Sequence, residues 1–105
     1  MRNTITTDEM ELFRANGYVR LGRLLDDSEL SVLSEQINHI MLGTADVPYD
    51  QMMMMLEPST NPPKDLEGQS KGHKLSTLAY RKIQDLELSP QFHAYLSRPF
   101  FANLC

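Results

Sequence analysis

The chain has no tryptophan, a single cysteine and no apolar run approaching the roughly 20 residues that a membrane-spanning helix needs. One cysteine, Cys105, excludes an internal disulfide framework and fits a reducing compartment. Positive charge is in short supply: 10 Lys and Arg stand against 14 Asp and Glu, a formal net charge of -4. Nucleic acids and anionic membrane surfaces both select for clustered Lys and Arg, so this balance argues against either as a partner. The opening residues, Met1 to Glu9, contain no apolar core of signal-peptide length. These absences lead to the expectation of a soluble protein of the cytoplasm. With 105 residues, it is one small domain or a piece of a larger one.

Ready-made catalytic and metal-binding patterns are missing too. None of the histidines, His39, His73 and His93, begins a His-x-Asp or His-x-Glu pair, the spacing that brings two ligands from one strand to one metal ion. None has a second histidine at helical spacing. His39 and His93 are expected on helix flanks and His73 in a polar loop, so no metal ligand is read from them. Gly68-Gln69-Ser70-Lys71-Gly72 lacks both the spacing of a phosphate-binding loop and a strand in front of it. Cys105 has no histidine nearby to activate it. No internal repeat is visible.

What is present begins with a helix signal. Thr6 followed three residues later by Glu9 is a capping-box pattern, and the helix it starts carries Met10, Phe13 and Arg14 before stopping at Asn16-Gly17. Tyr18-Val19-Arg20-Leu21 alternates like a short strand. Asp26 (or Asp27) with Glu29 repeats the capping signal. A second helix follows with Leu30, Leu33, Ile37, Ile40 and Met41 on one apolar stripe, and Gly43 ends it. From Thr44 to Gly72 the periodicity dissolves among Pro48, Pro58, Pro62, Pro63, Gly68 and Gly72, which predicts a long loop of the kind that serves as a lid or binding loop. Within it, Met52, Met53, Met54 and Met55 offer soft thioethers suited to an apolar binding wall, though the same run also suits a buried turn.

The stretch from Leu78 to Leu86, with Tyr80 and Ile83 among its residues, reads as a half-buried strand. Arg81 and Lys82 lie between them, and a cation on an inner face must either snorkel out or meet an anion. Ser89-Pro90 is a helix start, with Phe92, Tyr95 and Leu96 following, and Pro99 starts another with Phe100, Phe101 and Leu104. That last helix carries no stop signal before Cys105, from which the expectation is the front part of a longer protein.

The order of these blocks resembles the start of the phytanoyl-CoA dioxygenase family. Phe13-Arg14-Ala15-Asn16-Gly17-Tyr18-Val19-Arg20-Leu21, then Leu24 to Leu30, matches the family's opening helix, its Gly-Tyr/Phe turn and its second capped helix. Arg81-Lys82-Ile83-Gln84-Asp85-Leu86, with Ser89-Pro90-Gln91-Phe92 and Pro99 after it, looks like the next block. The resemblance implies an α+β chain: a helical N-terminal flank and the first strands of a double-stranded β-helix (jelly-roll, cupin-like) fold, incomplete within these residues. On that reading residues 1–105 are the N-terminal part of one oxygenase domain. Residues 6–43 form a helix–strand–helix lead-in, 44–72 a long loop or lid, and 73–105 a strand plus helices.

The resemblance further implies an iron(II) centre and 2-oxoglutarate as co-substrate, with hydroxylation of a small organic, lipid-like or secondary-metabolite substrate. In relatives the lysine of the Lys-Ile/Val segment helps to bind 2-oxoglutarate, and that position here is Lys82. The family's His-x-Asp pair and distal histidine have no counterpart in this sequence, so these residues alone supply a flank, a lid with Met52–Met55 as substrate-loop candidates, and one co-substrate contact. The competing expectation is a non-catalytic helical interaction module, or an inactive truncated homologue, that docks a partner through Phe100, Phe101 and Leu104. Lys82 is then a solvated surface cation. An apolar C-terminus would promote association with the remainder of the fold or with a partner.

Overall fold

Residues 2–104 are described by the computed structural model. Met1 and Cys105, with the expectations placed on that thiol, lie outside the described residues. The first helix, α1 (Thr7–Asn16), opens on the capping box read from the sequence: Thr6 Oγ1 accepts from the Glu9 amide at 3.2 Å, and Glu9 Oε1 accepts from the Thr6 amide at 2.9 Å. Helix α2 (Asp27–Leu42) repeats the device with Asp26 as the cap, its carboxylate accepting from the Glu29 amide at 2.8 Å. Gly17 and Gly43 close the two helices in left-handed conformations, φ 78° and 79°, which a side chain would strain.

Between the helices the expected strand at Tyr18–Leu21 does not form. No strand among the described residues lies beside the segment to complete a ladder with it. One carbonyl, that of Leu21, is met by the Arg2 guanidinium at 3.0 Å.

The stretch 44–72, expected as a loop, contains two strands. Strand β1 (Met53–Leu56) is the centre of a three-stranded antiparallel sheet, β2 (Ser70–Lys71) pairs on one side of it and β3 (Tyr80–Ile83) on the other. Short 3₁₀ turns at Tyr49–Gln51, Pro58–Thr60 and Lys64–Leu66 carry the connections. The run of methionines hides its strand character because every position is apolar, so a period of two cannot be read from residue types. Burial reveals it: Met52, Met54 and Leu56 are buried while Met53 and Met55 are half-buried. Strand β3 takes up only the middle of the strand expected over Leu78–Leu86, which gives way to a 3₁₀ turn at Leu86–Leu88, and its register is irregular opposite Met55 and Leu56.

The core lies on one side of this sheet. Ile40 from α2 meets Met52 and Met54, and Ile37, Tyr49, Tyr80, Ile83, Leu88 and Phe92 pack around them. Helix α3 (Pro90–Leu96) begins with proline at its first turn as expected, but Ser89 does not cap it. Its hydroxyl is fully buried, accepting from Gln36 Nε2 at 3.1 Å and donating to Gln91 Oε1 at 3.0 Å, and so ties α3 to α2. Helix α4 (Pro99–Leu104) turns Phe100 inward to 0% exposure, beneath the Arg2 guanidinium carbon 5.3 Å from the ring centroid. Asn103 Nδ2 also donates to the Asn3 carbonyl at 2.8 Å. The N-terminal residues therefore cover part of the apolar face that the sequence leaves without a lid.

The molecule is a mixed α+β structure and an elongated one. Its radius of gyration is 17.1 Å, against about 13 Å for a compact domain of this size. Helix α1 buries none of its residues, and Leu12, Phe13 and Tyr18 remain 52%, 48% and 65% exposed. No helix among the described residues is long and apolar enough to cross a membrane.

Candidate functional site

Alternation along β1 divides the sequence-predicted residues between two faces of the sheet. Met54 and its Cα partner Ile83 belong to the face covered by α2. Met53 and Met55, one residue away on either side, belong to the opposite face. Directly paired residues share a face, so Lys82, the partner of Met55, stands on this second face, and so does Lys71, the partner of Met53. Of the candidate methionines, Met52 and Met54 are core residues unable to touch a ligand without unpacking the sheet. Met53 and Met55 are half-buried on the opposite face, and Lys82 is the cross-strand neighbour of Met55.

Both lysines are exposed, and among the described residues neither enters an ion pair. The nearby acidic side chains are engaged elsewhere. Asp85, in a left-handed conformation at φ 66°, turns its carboxylate to the Met53 amide at 3.4 Å. Glu57 accepts from the Ser59 amide at 3.4 Å. The face thus carries two thioether side chains and two lysines that form no ion pair among the described residues. Sequence reasoning missed Lys71: β2 is two residues long, lies in a glycine-punctuated polar stretch, and gains its register only from β1.

The histidines build structure. His73 stacks edge-on against Tyr49, centroids 5.3 Å apart, and lies against Tyr80 at 6.1 Å. Its Nε2 is 2.8 Å from the Met41 carbonyl at the end of α2. Ser76 Oγ donates to the neighbouring Leu42 carbonyl at 2.8 Å, so the segment before β3 is fastened to carbonyls that the helix itself leaves unbonded. Tyr49 donates to the Ile40 carbonyl at 3.1 Å and accepts from the Ala45 amide at 3.2 Å, and burial pushes its phenol above the ordinary value. His73 lies in a loop, as expected, and is half-buried there as a fastener to the end of α2. His39 and His93 are exposed on α2 and α3, as expected. Among the described residues no group of three His, Cys, Asp or Glu side chains is placed to hold a metal ion.

Concave surface lies elsewhere. An apolar hollow of about 500 Å³ opens between α1 and the extended segment after it, lined by Met10, Phe13, Tyr18, Val19 and Leu21, with Leu104 from α4. A groove of about 270 Å³ runs between α2 and α3 over Leu25, Val32, Leu33 and Tyr95, with the ion-paired Glu29 and Arg98 in its lining. No known protein family, characterised protein or solved structure matches the chain.

Proposed function

We propose that these residues form the N-terminal part of an iron(II)- and 2-oxoglutarate-dependent oxygenase of the phytanoyl-CoA dioxygenase type, supplying the helical flank and first strands of a jelly roll. The observation that carries the reading is the two-sided sheet. Helix α2 covers one face and leaves the other, with Lys82, Met53 and Met55, open. A jelly roll needs that asymmetry, because one face of each sheet packs against its flank and the other lines the reaction cavity. The ammonium of Lys82 suits one carboxylate of 2-oxoglutarate as a point charge on a flexible stem. Met53 and Met55 would give the chain of a small organic substrate or co-substrate an apolar wall. Bound iron would supply the oxygen chemistry. Its ligands do not fit anywhere among the described residues, so the part played by these residues is to orient the co-substrate and exclude water from one wall.

In the protein that carries the iron-binding strands, Lys82→Ala raises the KM for 2-oxoglutarate several-fold while kcat changes little. A KM equal to that of the unmodified protein overturns the assignment. The exposed apolar surface of α1 favours a second reading, a non-catalytic interaction module. Its docking surface would have to be α1, since Phe100 is buried. Such a module turns over no 2-oxoglutarate and loses partner binding on Phe13→Ala.

A further inference from the structure

The segment Tyr18-Val19-Arg20-Leu21 has the alternation of a strand without a strand's partner. Val19 and Leu21 are half-buried and Tyr18 and Arg20 exposed, the period of a strand with one covered face. Val19 and Leu21 line the apolar hollow beside α1, and Tyr18 stands at its rim, 65% exposed. Among the described residues the backbone of Tyr18, Val19 and Arg20 makes no hydrogen bond, and the Leu21 carbonyl is taken by Arg2. Alternate residues of a strand turn their N–H and C=O groups to opposite edges. The edge that carries Leu21 is therefore turned to Arg2, and the edge that carries Tyr18 and Arg20 is open.

We propose that this open edge pairs with the same edge of a second copy of the chain, antiparallel, about a two-fold axis at Val19. The side chains select both the occupant and the register. Directly opposed residues share a face, so exposed residues must oppose exposed ones. An axis at Arg20 would set arginine against arginine, and an axis at Tyr18 would run the ladder into the end of α1, at Asn16. An axis at Val19 sets Tyr18 of each copy opposite Arg20 of the other, guanidinium against ring, and brings the two Val19 side chains together on the hollow side. Tyr18 and Arg20 then exchange the backbone bonds that neither makes within one chain. The contact is isologous and closes at two copies. It uses none of the residues on which the oxygenase assignment rests, so the two stand or fall separately.

The test is sedimentation equilibrium of the full chain from micromolar to millimolar concentration, with reductant present so that Cys105 cannot link copies. The mass should rise with concentration from that of one chain to that of two. Tyr18→Glu sets a carboxylate opposite Arg20 and should keep or tighten the dimer, whereas Tyr18→Lys sets cation against cation and should raise the dimer Kd about fivefold or more. Adding Arg20→Glu to Tyr18→Lys should restore the affinity. Arg20→Pro removes an N–H from the pairing edge and should abolish association. Tyr18 and Arg20 are exposed side chains, and unchanged thermal melts of the charge variants verify that the fold is kept. A single-chain mass throughout the range overturns the proposal, and so does a dimer indifferent to the sign of the charge at residue 18, which would lie on another surface.

Discussion

Helices α1 and α2 are built from the same local instructions and end in different circumstances. Each opens on a capping box, Thr6 with Glu9 and Asp26 with Glu29, and each closes on a left-handed glycine with nearly the same φ. Yet α2 places Ile40 in the core at 0% exposure, whereas α1 buries nothing. Capping and closure determine where a helix begins and ends. Whether it contributes to global stability depends on what its apolar side meets, since most helical stability in proteins comes from packing.

Truncating the buried side of α2 tests this difference most strongly. Ile40→Ala removes a side chain packed on Met52 and Met54 and should cost about 2–5 kcal/mol, whereas Phe13→Ala on α1 should stay within about 0.5 kcal/mol. Denaturant melts of the two variants read the difference, and equal losses would mean that α1 is docked in solution. The two glycine caps offer the next largest contrast. A Cβ at Gly17 meets nothing within 4 Å, but one at Gly43 comes within 2.7 Å of the His73 ring. Gly17→Ala should cost about 1 kcal/mol from backbone strain alone. Gly43→Ala should cost about 2–4 kcal/mol, because the ring must also leave its bond to the Met41 carbonyl. Loss of the His73 side-chain proton signals in Gly43→Ala, with their retention in Gly17→Ala, would tie the excess to that contact.

A smaller effect separates the N-caps. Asp26→Ala should lower the melting temperature by roughly 5 °C, since capping loss there is transmitted to the core. Thr6→Ala should reduce the helical circular-dichroism signal with little change in the midpoint. Matching midpoint shifts would show that the helices unfold as one unit.

The smallest effect is electrostatic. The Arg2 guanidinium and the Thr6 amide hold the Glu9 carboxyl down to about 2 from its ordinary 4.5. A carboxylate whose folded value is depressed stabilises the fold above its unfolded value, and that contribution fades as pH falls from about 4.5 through about 2. The Thr6 amide resonance should therefore titrate with a midpoint near 2 and cease to respond in Glu9→Gln. A midpoint near the ordinary carboxyl value would mean that Arg2 is not held against Glu9 in solution.

Legibility in the sequence tracks how local the cause is. Capping boxes, glycine closures and Pro90 at a helix start rest on residues within a few positions of one another and are found where the sequence puts them, whereas the strand expected over Leu78–Leu86 forms only at Tyr80–Ile83, where β1 pairs with it. The Met53–Leu56 strand was illegible for the opposite reason: an unbroken apolar run carries no period, and its two faces are told apart only by partners 15–30 residues further on, at Lys71 and Ile83. Ser89 shows the same limit on a smaller scale. Its type and place say cap, but Gln36 of α2 takes its hydroxyl.

Of the candidate site, Lys82 and the methionines were visible by residue type, and their arrangement was not. Sequence alone determined the first two helices and their ends, because those depend on backbone and capping hydrogen bonds closed within a single turn, and it marked the residues around Lys82 as strand formers by type. Only the tertiary structure decided that Met52 and Met54 belong to the core and Met53 and Met55 to the open face, that Lys71 joins Lys82 there, and that Arg2 comes back to lie over Phe100. Each of those follows from strand register and long-range burial, which no local signal encodes.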